Sequence, residues 1–143
     1  MFLGDQHMRV SRLAIAALLS AASLAFAAAP AQAGDAAKGE KLMKKCGACH
    51  TWDQGGKKKV GPNLFGVYEQ NCGHNAEFKY SDGYHKACEK GFKIDEAMLM
   101  EYLADASAYL SGVAGEKVKS KMTFKLKKEA DRADVIEFLK GNK

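Results

Sequence analysis

The sequence predicts an all-α domain, and three observations carry that expectation. Three segments place apolar residues at helical spacing, no alternating run of β-branched residues marks a strand, and two long aperiodic stretches lie between the segments, Thr51 to Lys79 and roughly Ser111 to Lys127. Loops of that length in a compact domain usually wrap something large.

The first helical segment opens at Asp35, a plausible N-cap, and sets Leu42, Cys46 and Cys49 at i, i+4 and i+7, which puts both thiols on the buried face. A weaker pattern from Ser81 to Cys88 suggests a short helix. The next clear segment begins at Asp95, with Ile94 and Leu99 placed to close a hydrophobic staple and Tyr102 and Leu103 continuing the stripe. The last runs from about Lys128 to Lys140, with Arg132, Val135, Ile136 and Leu139 at helical spacing and Gly141 as its stop.

The chain has 143 residues, 22 Lys plus Arg against 17 Asp plus Glu, four cysteines and two prolines. This length excludes a large multi-domain enzyme. Arg9 and Arg12 precede an Ala/Leu-rich run from Leu13 to Ala29, and Ala31-Gln32-Ala33 offers small residues at both positions a signal peptidase reads. Residues 1–33 are therefore expected to be a secretory signal cleaved after Ala33, with Met8 as an alternative start. The other reading of the run is an uncleaved anchor, which Ser20, Ser23 and the many alanines make weakly apolar. Residues 34–143 then form one mildly basic exported domain. At that size an apolar core is marginal, so a covalent staple or a cofactor serving as core is expected.

Cys46-Gly47-Ala48-Cys49-His50 has the C-x-x-C-H pattern of covalent c-type haem attachment. Thiols three apart on one helical turn share a side and can add to two vinyl groups of one porphyrin, while the adjacent His50 swings under the iron as a ligand. Three other chemistries use similar residues. A thioredoxin-like pair wants a preceding strand in a βαβ unit, a zinc site wants a second ligand pair at matching spacing, and a simple disulfide leaves His50 without a role.

From Gly34 to Lys143 the chain resembles class I cytochromes c, most closely the bacterial cytochrome c2 type. It carries, in order, GDAAKGEKLMKKCGACHT, GPNLFG, FKYSD, LMEYL, KMTFKL and DRADVIEFL. The resemblance implies the class I cytochrome c fold: N- and C-terminal helices packed together, a third helix across them, and long loops enclosing one covalent haem c. It implies haem bonded to Cys46 and Cys49, His50 as one axial ligand, and the Pro62 carbonyl accepting from the ring N–H of that histidine, which would fix its tautomer. It further implies that Tyr80 bonds a haem propionate, that Tyr102 sits against the sulfur of the second axial ligand, and that Gly39 and Met43 pack on Val135 and Phe138.

Candidates for that second ligand are Met43, Met98, Met100, Met122, His74 and His85. Met43 shares the helix of the cysteines and cannot reach the opposite haem face, while Met98 and Met100 belong to a core stripe, where methionine is a common filler. Met122 is an apolar side chain in a cationic loop with Lys117, Lys119, Lys121 and Lys125, and KMTF matches it to the family ligand. Displacement of Met122 by His74 or His85, both read as solvated loop histidines, is the bis-histidine alternative. A His/Met pair raises the potential and closes the sixth position, which implies electron transfer and no enzymatic activity. The alternative is a small haem peroxidase or gas-binding cytochrome with that position open.

Cys72 and Cys88 lie outside the resemblance. In an exported protein two further thiols are expected to pair as a disulfide, the alternative being two separate thiols. The chain departs from the family in placing Ile94 where a propionate-binding tryptophan is usual and Glu69-Gln70-Asn71 where an arginine often faces the propionates. Nineteen residues separate Tyr102 from Met122, as in the longer cytochromes c2.

Lysines cluster near the haem motif and near Met122. Lys45, Lys59, Lys119, Lys121 and Lys125 are expected to ring the exposed haem edge and steer an acidic redox partner, the plainer reading being solvated surface. The resemblance implies a quinol:cytochrome c oxidoreductase as donor and a photosynthetic reaction centre or terminal oxidase as acceptor, in the periplasm. A monomer without stable membrane insertion is expected, and no groove-reading motif points to nucleic acid.

Overall fold

The computed structural model describes residues 33–143, so the signal expected at 1–33 lies, apart from Ala33, outside the described residues. Five helices follow one another: α1 (Ala36–Met43), α2 (Asp82–Glu89), α3 (Glu96–Ala104), α4 (Ala106–Ala114) and α5 (Glu129–Gly141). Among the described residues there is no strand, only an isolated antiparallel bridge between Asn71 and Lys93.

Three of the four N-caps from α1 to α4 are aspartates and the other a serine, each satisfying amides that the helix start leaves without partners. Asp35 accepts from the Ala37 and Lys38 amides, Ser81 from Tyr84, Asp95 from Met98, and Asp105 from Ser107 and Ala108. The first and last helices pack against each other. Gly39 makes that crossing close, because a Cβ there would run into the Asp134 carbonyl and the Phe138 side chain. Met43, Val135, Ile136 and Leu139 fill the seam and join Ile94, Met98, Leu99 and Leu103 of the α3 segment in one core.

Arg132 occupies a position in the apolar stripe of α5 without being an apolar contact. Its guanidinium donates to the Leu126 carbonyl at 3.0 Å, the Lys127 carbonyl at 2.7 Å and the Met100 sulfur at 3.4 Å. It therefore ties the segment after Met122 to α5 and α3. Gly141, expected as a stop, is the last helical residue, and Asn142 caps the end.

The structure corrects the aperiodic stretch expected from Ser111. Its first four residues belong to α4, which packs on both α2 and α3. A single residue, Asp105, both ends α3 and caps α4. The α2–α4 contact builds a second core around Tyr80, Tyr84, Ala87 and Leu110.

Candidate functional site

The cysteine-bearing turn departs from an ideal helix. After Met43 the backbone bonds alternate between three- and four-residue closures: Cys46 N to Met43 O at 2.8 Å, Gly47 N to Met43 O at 3.1 Å, Cys49 N to Cys46 O at 3.0 Å and His50 N to Cys46 O at 2.9 Å. On this tightened turn Cys46 is half-buried and Cys49 exposed in the polypeptide alone. Neither cysteine takes part in a disulfide.

His50 follows directly. Its Nδ1 lies 2.7 Å from the Pro62 carbonyl, which, being an acceptor only, fixes the proton on that nitrogen. Burial pushes the imidazole below its usual range, the Pro62 carbonyl partly offsets this, and the Lys59 charge adds to the lowering. The neutral ring therefore keeps Nε2 as an available lone pair. Gly61 lets the loop run against it, since a Cβ there would overlap the ring.

The loop that carries Pro62 is tied at both ends. Gly61 N bonds Cys49 O at 2.8 Å and Leu64 N bonds Thr51 O at 2.8 Å. Asn63 donates to the Asp53 and Gly56 carbonyls, both at 2.9 Å. Asn142, the residue after α5, donates to the Trp52 carbonyl at 3.0 Å and accepts from Gly66 N at 2.8 Å. Asn142 carries no local sequence signal of this role, because its partners lie far away along the chain.

Met122 is half-buried and packs on the main core, as does Tyr102. Its amide donates to the Ser120 hydroxyl oxygen at 3.0 Å, and that hydroxyl lies against the Tyr102 phenol. Two serines of α4 hold the loop before it: Ser120 N bonds the Ser107 hydroxyl at 3.0 Å and Val118 N bonds the Ser111 hydroxyl at 3.0 Å. Met43 and Met98 are buried core residues and Met100 is occupied by Arg132, as packing roles require. The histidines differ from their expected solvated loops. His85 sits on α2, exposed, with its ring edge toward Tyr80, and His74 is half-buried with burial holding it below the usual imidazole range.

Tyr80 is buried with no hydrogen-bond partner for its hydroxyl, the Asn75 amide approaching without completing a bond. Cys72 and Cys88 are joined as a disulfide with Cα atoms 5.6 Å apart, pinning the end of α2 to the segment beside the Asn71–Lys93 bridge. Ile94, at the position of the family's tryptophan, is a core residue. The lysines are exposed. Lys59 Nζ donates to the Gly47 carbonyl at 2.5 Å, Lys121 Nζ to the Lys79 and Tyr80 carbonyls at 2.9 and 3.3 Å, and Lys125 pairs with Asp105 at 2.5 Å.

These groups suit a covalently attached porphyrin: two cysteines three residues apart and outside any disulfide, an imidazole with one nitrogen held and the other available, and a buried phenol without a protein partner. Comparison with known proteins agrees. The Cytochrome c family matches residues 36–143. Cytochrome c2 of Rhodospirillum rubrum is 50% identical over 121 residues, covering 83% of this chain and 90% of that protein. Cytochrome c-550 of Novispirillum itersonii is 50% identical over 107 residues, covering 74% and 96%. The solved cytochrome c2 of Rhodospirillum centenum superposes with a TM-score of 0.72 at 40% identity, over 76% of this chain and 98% of that one. The chain belongs to the cytochrome c family, as a class I cytochrome of the c2 type that binds one covalent haem c and carries electrons without being an enzyme.

Proposed function

We propose that Cys46 and Cys49 hold the haem through thioether bonds, that His50 and Met122 are its axial ligands, and that Tyr80 and Tyr102 serve one propionate and the Met122 sulfur. The observation that carries this assignment is the 2.7 Å contact between His50 Nδ1 and the Pro62 carbonyl, which leaves Nε2 alone to face a metal. The haem supplies a one-electron couple. The chain orients His50, keeps Met122 half-buried against the core, and presents its charge to a partner.

The protein works as a monomeric shuttle in the periplasm, after cleavage of residues 1–33. Among the described residues no helix is long and apolar enough to cross a membrane. Electrons come from a quinol:cytochrome c oxidoreductase and pass to a reaction centre or terminal oxidase. Lys59 at the cysteine turn and Lys121 beside Tyr80 put positive charge at two sides of the same site, which favours partners with an acidic face. The bimolecular electron-transfer rate with an acidic redox protein is expected to fall as ionic strength rises, and Lys59→Gln with Lys121→Gln should flatten that dependence. A rate indifferent to salt would overturn the docking assignment.

A further inference from the structure

Around the second core runs a series of ring contacts among four tyrosines and Phe92, of which the proposed function uses only Tyr80 and Tyr102. Tyr80 and Tyr84 stack with centroids 4.2 Å apart, Tyr84 meets Phe92 edge-on at 5.4 Å, Phe92 meets Tyr109 at 5.7 Å, and Tyr109 meets Tyr102 at 5.9 Å. The series has two inner ends. One is Tyr80, with its unpartnered buried hydroxyl, and the other is Tyr102, which shares Ser120 with Met122. Both branches meet at Tyr109, which lines an open groove with Glu101, Asp105 and Gly112.

Electron tunnelling weakens steeply with distance, so rings in contact shorten each step. A phenol at neutral pH also gives up its proton when it gives up an electron, and only a site with a base or water can take that proton. Tyr84 is deeply buried with its hydroxyl accepting from the Gly73 amide at 3.3 Å, and Tyr80 is buried with its hydroxyl assigned to a propionate. Tyr109 alone in the series lines an open groove with carboxylates, Glu101 and the Lys125-paired Asp105. Its phenol is also kept protonated by partial burial and by Asp95 and Glu101, so the resting group is neutral.

We propose that this series is a second electron route, through which the reduced protein repairs a phenoxyl radical at Tyr109. It rests on the placement of the haem beside Tyr80 and Met122. An external one-electron oxidant takes one electron from Tyr109, whose phenolic proton passes to Glu101 or water. Tyr102 then relays one electron supplied by the reduced haem and a proton returns, so the phenol is restored and the protein is oxidised by one electron. A radical that would otherwise couple to a second chain is removed.

The test uses the reduced, haem-bearing protein and pulse-generated azidyl radicals, which oxidise tyrosine. The expected result is a first-order haem oxidation, independent of protein concentration, that follows phenoxyl formation. Tyr109→Phe should lose that phase. Tyr68→Phe should keep it, because Tyr68 stands outside the series beneath the Lys140 ammonium. Persistence of the phase in Tyr109→Phe, or phenoxyl decay only by second-order coupling to dityrosine in the unaltered protein, would overturn the route while leaving the haem assignment intact. A purified protein without covalent haem would overturn that assignment and the route with it.

Discussion

Met122→Ala is expected to abolish the weak near-infrared band of the oxidised protein and to lower its reduction potential, while the covalent haem and the helical content remain. The thioether is the only group this variant removes, and a soft sulfur ligand favours the ferrous state. The surrounding loop does not depend on the side chain. Its backbone is held by Ser107, Ser111 and Ser120, and Arg132 anchors the carbonyls just after it. Met100→Leu serves as the control, since the Met100 sulfur accepts from Arg132 and faces a different contact. A band that survives in Met122→Ala, or that disappears in Met100→Leu, would contradict the ligand assignment.

Removing the staple is expected to have the largest effect on stability. The Cys72–Cys88 bond closes a loop with a sequence separation of 16, and by the chain-entropy model such a loop contributes about 3 kcal/mol through the unfolded state. It also holds α2 against the segment in which Cys72 N bonds Phe92 O at 3.0 Å and Ile94 N bonds Gln70 O at 2.8 Å. The double variant Cys72→Ser, Cys88→Ser should unfold in urea with stability lower by about 3 kcal/mol, and reductant should bring the unaltered protein to the same midpoint. An unaltered protein indifferent to reductant would show that the bond contributes nothing.

Of the helices legible in the sequence, three are announced by their own caps, while α5, whose N-cap Lys128 makes no side-chain hydrogen bond, is revealed by its apolar spacing. Asp35, Ser81 and Asp95 each precede a periodic run, and each accepts amide hydrogen bonds as that position requires. Helix α4 was illegible from Ser111 onward because nothing separates it from α3 except Asp105, with no glycine or proline to mark the break. Its end does carry a signal, Gly115 in the left-handed region at φ 74°, with its amide bonded to Ser111 O at 3.0 Å. Recognising that stop would have exposed the helix before it.

At the site, the spacing of Cys46, Cys49 and His50 gave the chemistry but not the orientation. Ideal helical geometry places both thiols on one face, whereas after Met43 the turn mixes three- and four-residue closures. Pro62 is reachable only through resemblance, and its carbonyl lies 2.7 Å from His50 Nδ1. The Asn142 clamp and the serine supports of Met122 depend on contacts between distant segments, which no local pattern encodes. His74 looks like a loop residue, and it is one, half-buried two positions after the disulfide-bonded Cys72.

The most direct test of the haem assignment is the mass of the tryptic peptide Cys46–Lys57 from protein unfolded without reductant and exposed to iodoacetamide. The account predicts a peptide carrying haem on both cysteines and resistant to alkylation. A haem-free peptide with Cys46 and Cys49 both alkylated would contradict it.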